Sequence, residues 1–207
     1  MVIHSHLPRT KRVSMTVTEF SHSNGIRYYA KHGTSQESFI LGQRARQKGV
    51  KLEKPVFDQL LGLAKYDGIG HRGIALYHGH GESIGLKFAF LRPAEKALVL
   101  NQILDVVAHM HRQGFSHGDL NNPDHFVLTK DLEVTLLDME ERLSKEINVN
   151  WNSLESIIRN LYDDFNELNA LFENLGINKR IIYILFLKLA KKYRLSSSIE
   201  SKLLEFY

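Results

Sequence analysis

The stretch that decides the fold is His117-Gly118-Asp119-Leu120-Asn121-Asn122-Pro123-Asp124-His125-Phe126-Val127-Leu128, followed by Val134-Thr135-Leu136-Leu137-Asp138-Met139-Glu140. Two short apolar runs, Phe126–Leu128 and Val134–Leu137, have strand composition and flank the polar link Thr129–Glu133. Such a strand pair folds back on itself, so Asp138 returns toward the loop that carries Asp119. Upstream, Pro93-Ala94-Glu95 opens a helix in which Leu98, Val99, Ile103, Val106, Val107 and Met110 recur at helical spacing, and Gly114 stops it.

The chain before this block reads as β-rich. Val13–Phe20 alternates like a strand, Asn24-Gly25 signals a hairpin, and Ile26–Lys31 is the returning strand, broken at Gly33. Thr34-x-x-Glu37 has the capping-box pattern of a helix that runs to about Lys48 and stops at Gly49. Val56–Tyr66 and Gly73–His78 read as further strands around a glycine-rich turn. After Asn150 the periodicity is helical, over 154–175, 178–193 and 198–206. The shift near Gly79 predicts an α+β chain in two parts, 1–79 and 80–207.

Composition sets the bounds. With 207 residues, 43% hydrophobic and 24% charged, the chain is long enough for a proper core. A net charge of +4 is a mild excess that suits an anionic ligand but does not argue for nucleic acid. Cysteine is absent, and no apolar run is long enough to span a bilayer, so a soluble cytoplasmic protein is expected.

Gly114-Phe115-Ser116-His117-Gly118-Asp119-Leu120, a helix end running into an HGDL loop, resembles the catalytic loop of the protein-kinase-like superfamily. His125-Phe126-Val127-Leu128 and Leu136-Leu137-Asp138-Met139-Glu140 are most similar to the lipopolysaccharide kinase family, which comprises Kdo and heptose kinases and their InaA-like relatives. The resemblance extends to Tyr28-Tyr29-Ala30-Lys31, the helix from Glu37, and Gly49-Val50 with Pro55. It implies a compact bilobal fold with a small β-rich N-lobe and a mainly helical C-lobe. It also implies ATP and Mg²⁺, transfer of a phosphoryl group to a hydroxyl, and a sugar of a lipopolysaccharide core as acceptor. A kinase acting on a protein or on itself, and a catalytically inactive regulatory relative, are the rival readings. Two departures stand out: no Gly-x-Gly-x-x-Gly precedes Lys31, and Asp119 to His125 is one residue longer than the Asp-to-Asn spacing of protein kinases.

On this resemblance Asp119 is the expected catalytic base, against the plainer role of a turn-closing Asp. Asp138 is the expected Mg²⁺ ligand, because that ion prefers hard oxygen. A second ligand is open between Asp124, chemically the better, and His125, which the resemblance supports. Lys31 is expected on the phosphates, and Glu37 is either its ion-pair partner or a capping residue. Leu76, Tyr77 and His78 form the expected adenine hinge, His117 braces the loop, and the Ser21–Gly25 turn covers the triphosphate. The basic residues around Ile181–Leu187 mark either a closing helix with a solvated rim or a contact with an anionic membrane. Neither the His109/His111 nor the His78/His80 pair supports a metal site.

Overall fold

The computed structural model describes residues 2–5, 16–21, 27–56, 61–65, 71–79, 81–139 and 144–204. The first part is a five-stranded antiparallel sheet built from β1 (Val2–Ser5), β2 (Thr16–Ser21), β3 (Arg27–Ser35), β4 (Leu61–Lys65) and β5 (His71–His78). Its spatial order is β1-β2-β3-β5-β4. Register puts Lys31 of β3 opposite Val17 of β2 and Ala75 of β5. Gly33 does not end β3 as the sequence suggests. The register shifts between His32 and Thr34, and Gly33, at φ 85°, sits in that irregularity. Glycine takes such a φ without the clash a Cβ would bring, so the strand bends and continues.

Helix α1 (Gln36–Gln47) starts one residue later than the expected capping box. Ser35 is its N-cap, accepting a hydrogen bond from the Ser38 N–H at 3.1 Å. Glu37 is thereby left in the exposed first turn. Of the expected strand Val56–Tyr66, residues 57–60 lie outside the described residues; Val56 instead donates from its N–H to the Leu76 carbonyl at 2.7 Å.

The second part begins at β6 (Glu82–Ser83) and α2 (Ile84–Lys87) and is organised by α3 (Pro93–Arg112). Short strands follow: β7 (Phe115–Ser116), β8 (Phe126–Leu128), β9 (Val134–Leu136) and β10 (Lys145–Glu146). They form a β6-β8-β9 sheet and a β10-β7 pair. Helices α4 (Leu154–Asn174), α5 (Lys179–Tyr193) and α6 (Ser197–Leu204) close the chain. Asn178 caps α5 through a 3.0 Å bond from the Ile181 N–H.

The main core lies between these helices, with Ile103, Leu104 and Met110 of α3 and Leu161, Phe165 and Leu168 of α4 buried in it. Burying a side chain of this size stabilises the fold by roughly 1.5–3 kcal/mol. Ala45 of α1 and Val50 and Leu52 just after it belong to the same core, so the sheet's helix is anchored in the helical part. The buried stripe of α4 runs Ile157, Leu161, Asp164, Phe165, Leu168, and one carboxylate stands in that apolar series.

Candidate active site

The site is assembled by residues 51–56, to which the sequence assigns no site residue. The Leu136 N–H donates to the Lys51 carbonyl and the Glu53 N–H to the Leu136 carbonyl, both at 3.2 Å, joining the link to β9. One residue on, the His78 N–H donates to the Lys54 carbonyl at 3.0 Å, joining it to β5. This stitch carries Glu53 to Lys31. The Lys31 ammonium, buried on β3, is ion-paired to both Glu53 and Asp138 and lies 4.6 Å from the centre of the Tyr77 ring. Glu53 Oε1 also accepts from the Asp138 N–H at 3.0 Å. Lys31 thus has its acidic partner, but that partner is Glu53 and not Glu37, which the start of α1 leaves in solvent.

Asp138 lies two residues beyond β9, at φ 62°, a left-handed conformation that Asp tolerates better than most residues. Burial works to raise its pKa, but Lys31 and then His125 outweigh that and hold the carboxyl below its ordinary range.

The Asp119 loop is held from beneath by Asp164. Its Oδ2 accepts from the His117 N–H at 2.9 Å and its Oδ1 from the Gly118 N–H at 2.5 Å. Gly118 turns through φ 73° to present that N–H. The same carboxylate accepts from His111 Nε2 at 2.8 Å, and His111 Nδ1 lies 2.6 Å from the Tyr193 hydroxyl. Burial opposes ionisation of Asp164, yet the His111 hydrogen bond and charge and the two loop amides prevail, taking its pKa down to about 2. Asp164 was missed in the sequence, although a lone Asp on the apolar face of an amphipathic helix was a readable signal. His117 braces the loop through its side chain, with Nε2–H donating to the Leu137 carbonyl at 2.8 Å. Burial and the neighbouring His125 lower its pKa, which keeps the ring neutral.

His125 stands between the two expected catalytic carboxylates. Its Nδ1–H donates to the Asp119 backbone carbonyl at 2.7 Å, and the Asn122 amide donates to its Nε2 at 3.2 Å. His125 Nε2 lies 3.5 Å from Asp138 Oδ2, and Asp119 Oδ2 lies 3.8 Å from Nδ1. Asp124 is directed elsewhere: its carboxylate accepts from the Ser83 hydroxyl at the start of α2. Of the two residues left open as second ligand, the structure brings only His125 to Asp138.

Among the described residues, no group of three or more His and acidic side chains is set to enclose a metal by itself. A cation held largely by phosphate and water needs only one or two protein ligands. Asp138 Oδ2, with its twin oxygen on Lys31, fits that requirement, and His125 Nε2 would join it once the Asn122 amide gives up its lone pair.

The backbone bears on the expected hinge, while the expected triphosphate cover lies almost wholly outside the described residues. The Leu76 carbonyl and the His78 N–H are already bonded to Val56 and Lys54, so these groups do not form an open hinge edge, and Tyr77 packs its ring under Lys31. The Ser21–Gly25 turn lies outside the described residues beyond Ser21, which pairs with Arg27, four positions along β3 from Lys31. The β2 end nearest Lys31 is Thr16.

No protein-family model and no curated protein sequence matches the chain. Solved structures do. The BubR1 kinase domain superposes with a TM-score of 0.55 at 17% identity, over 84% of this chain and 61% of that one. The protein thus spans about three fifths of the length of that domain. WaaP, solved in complex with acyl carrier protein, superposes with a TM-score of 0.50 at 16% identity, over 90% of this chain and 87% of that one. These likenesses define the class: the chain has a protein-kinase-like α+β fold.

Proposed function

We propose that the protein is a kinase that transfers the γ-phosphoryl group of ATP to a hydroxyl. The observation that carries this reading is the convergence of Lys31, Glu53 and Asp138 from three distant segments, with His125 linking Asp138 to Asp119. In the reaction the bond between the γ-phosphorus and the ADP oxygen breaks and a bond to the acceptor oxygen forms. Asp119 orients the acceptor hydroxyl and takes its proton. Lys31, released from Asp138, holds the α- and β-phosphates while Glu53 keeps the ammonium aimed. Asp138 and His125 hold Mg²⁺, which when bound neutralises charge on the phosphates.

The resemblance in sequence points to a sugar of a lipopolysaccharide core as acceptor, with a protein acceptor as the second reading. A peripheral membrane contact suits such an acceptor. On α5, Ile181, Tyr183 and Ile184 are exposed beside Arg180, Lys188 and Lys191, and among the described residues no helix is long and apolar enough to cross a bilayer.

The test is phosphoryl transfer from labelled ATP by the purified chain, alone, with lipopolysaccharide core oligosaccharide, and with a generic protein substrate. Label on the oligosaccharide, lost in Asp119→Asn, is the expected result. Label on the chain or the protein substrate would favour a protein kinase, and no transfer with intact ATP binding would favour a regulatory role.

A further inference from the structure

Beside the Asp119 loop lies a cavity of about 430 Å³, at the small end of the roughly 300–1,000 Å³ range of ligand pockets. Among the described residues it is lined by Ser116, Gly118, Lys145, Asp163, Asn166 and Glu167. Three elements build it: β7 and β10, which pair Ser116 with Lys145, and one turn of α4. Gly118 precedes Asp119, so the cavity adjoins the expected base. Glu167 ties the two together, since its Oε2 accepts from the Asn121 N–H at 3.1 Å.

The lining has the character of a binding surface. Ser116 is 1% exposed, and its strand neighbour Phe115 points into the core, which turns the Ser116 hydroxyl to the opposite, cavity side. That hydroxyl belongs to the most buried residue of the lining. Two carboxylates, Asp163 and Glu167, face one ammonium, Lys145, while Asp119 and Asp164 add negative charge nearby. Burial raises the pKa of Glu167, and repulsion from Asp119, Asp164 and Asp163 adds to the rise against the Asn121 N–H. An acceptor rich in phosphate or carboxylate would meet this charge unfavourably. A cation would relieve it.

We infer that this cavity is the acceptor subsite and that it selects a hydroxylated acceptor bearing a protonated amine. The ammonium sits between Asp163 and Glu167, while the Ser116 hydroxyl and the Asn166 amide take ring or chain hydroxyls. The inference rests on the kinase reading and narrows its acceptor. An amino sugar and an amino-alcohol substituent on a sugar share this chemistry.

Binding to the full chain without nucleotide is measured by saturation-transfer NMR for glucosamine, glucose, glucuronic acid and ethanolamine, at a pH where the amines are protonated. Glucosamine is expected to bind about tenfold more tightly than glucuronic acid, the scale of a charge-assisted hydrogen bond gained against one lost. Asp163 is exposed, so Asp163→Lys should keep the fold, confirmed by circular dichroism, and invert that order; Lys145→Glu should widen it. Displacement of glucosamine by ethanolamine assigns recognition to the ammonium group, and failure to displace assigns it to the amino sugar as a whole. Equal or tighter binding of glucuronic acid, an order unmoved by Asp163→Lys, or no binding of any probe would overturn the assignment. Amine-selective binding without transfer from ATP would support the cavity and sink the kinase reading, so the two fail separately.

Discussion

Two buried ionic clusters lie on either side of the Asp119 loop, and they are built for different ends. The Lys31–Glu53–Asp138 cluster gathers residues from β3, the 51–56 link and the end of β9, and Asp138 keeps 19% of its side chain exposed. Its cation is shared between two carboxylates, so one can be exchanged for phosphate while the other remains. The Asp164–His111–Tyr193 cluster is closed: the Asp164 and His111 side chains are fully buried, and Asp164 spends its oxygens on His111 and two loop amides. Tyr193 is stacked between His111 and Trp151, with ring centres 5.9 and 4.9 Å away. Nothing there is free to exchange. The first cluster is suited to binding and the second to holding Asp119 still.

That contrast can be broken most directly at Asp119 and Asp138. Asp119→Ala is expected to lower turnover by about 10²–10⁴-fold with little change in Mg-ATP affinity, because the base meets the acceptor and not the nucleotide. Asp138→Ala should weaken Mg-ATP binding as well. Calorimetric titration of both variants decides; equal affinities would mean the roles are misassigned.

The closed cluster should instead fail as structure. Asp164→Ala leaves His111 and two loop amides unpaired and is expected to cost about 3–5 kcal/mol in urea unfolding. The same carboxylate gives a pH signature. Its folded pKa of about 2 lies below the ordinary 3.8, so its contribution, about 2 kcal/mol, is present above pH 4 and lost as pH falls through 2. Wild-type stability should drop across that window, and the drop should shrink in the variant. A parallel fall in both would assign acid sensitivity elsewhere.

Smaller effects sharpen the binding side. Glu53→Gln should raise the Michaelis constant for ATP about tenfold through loss of the charge that aims Lys31, while Glu37→Gln leaves it unchanged. The reverse pattern would return the ion-pair role to α1. The smallest expected change is Tyr193→Phe, which removes only the hydroxyl bonded to His111 and should cost about 1 kcal/mol with activity retained.

Much of the site was legible because it is local. The helix end at Gly114, the HGDL turn and the strand pair around Thr129–Glu133 are specified by neighbours in sequence. Asp119 and Asp138 could therefore be singled out, and β8 and β9 return the second toward the first as the pattern suggested. Glu37 misled for the same local reason: the Thr34-x-x-Glu37 spacing is real, but Ser35 is the better-placed cap and the helix starts one residue on. Where the Asp124 carboxylate points was beyond local pattern, since Ser83 of a distant strand donates to it.

The sequence by itself determined the α+β layout, the span of α3 and of the closing helices, and the loop that presents Asp119, because periodicity, caps and turn residues act over a few positions. Tertiary structure alone decided which acid meets Lys31, that the Leu76 carbonyl and the His78 N–H are already bonded, and that Asp164 anchors the loop. Those outcomes depend on pairings between 51–56 and two separate strands, and between α4 and the segment before Asp119. A buried charge takes whatever partner the completed fold brings within reach, and no short-range pattern records that partner in advance.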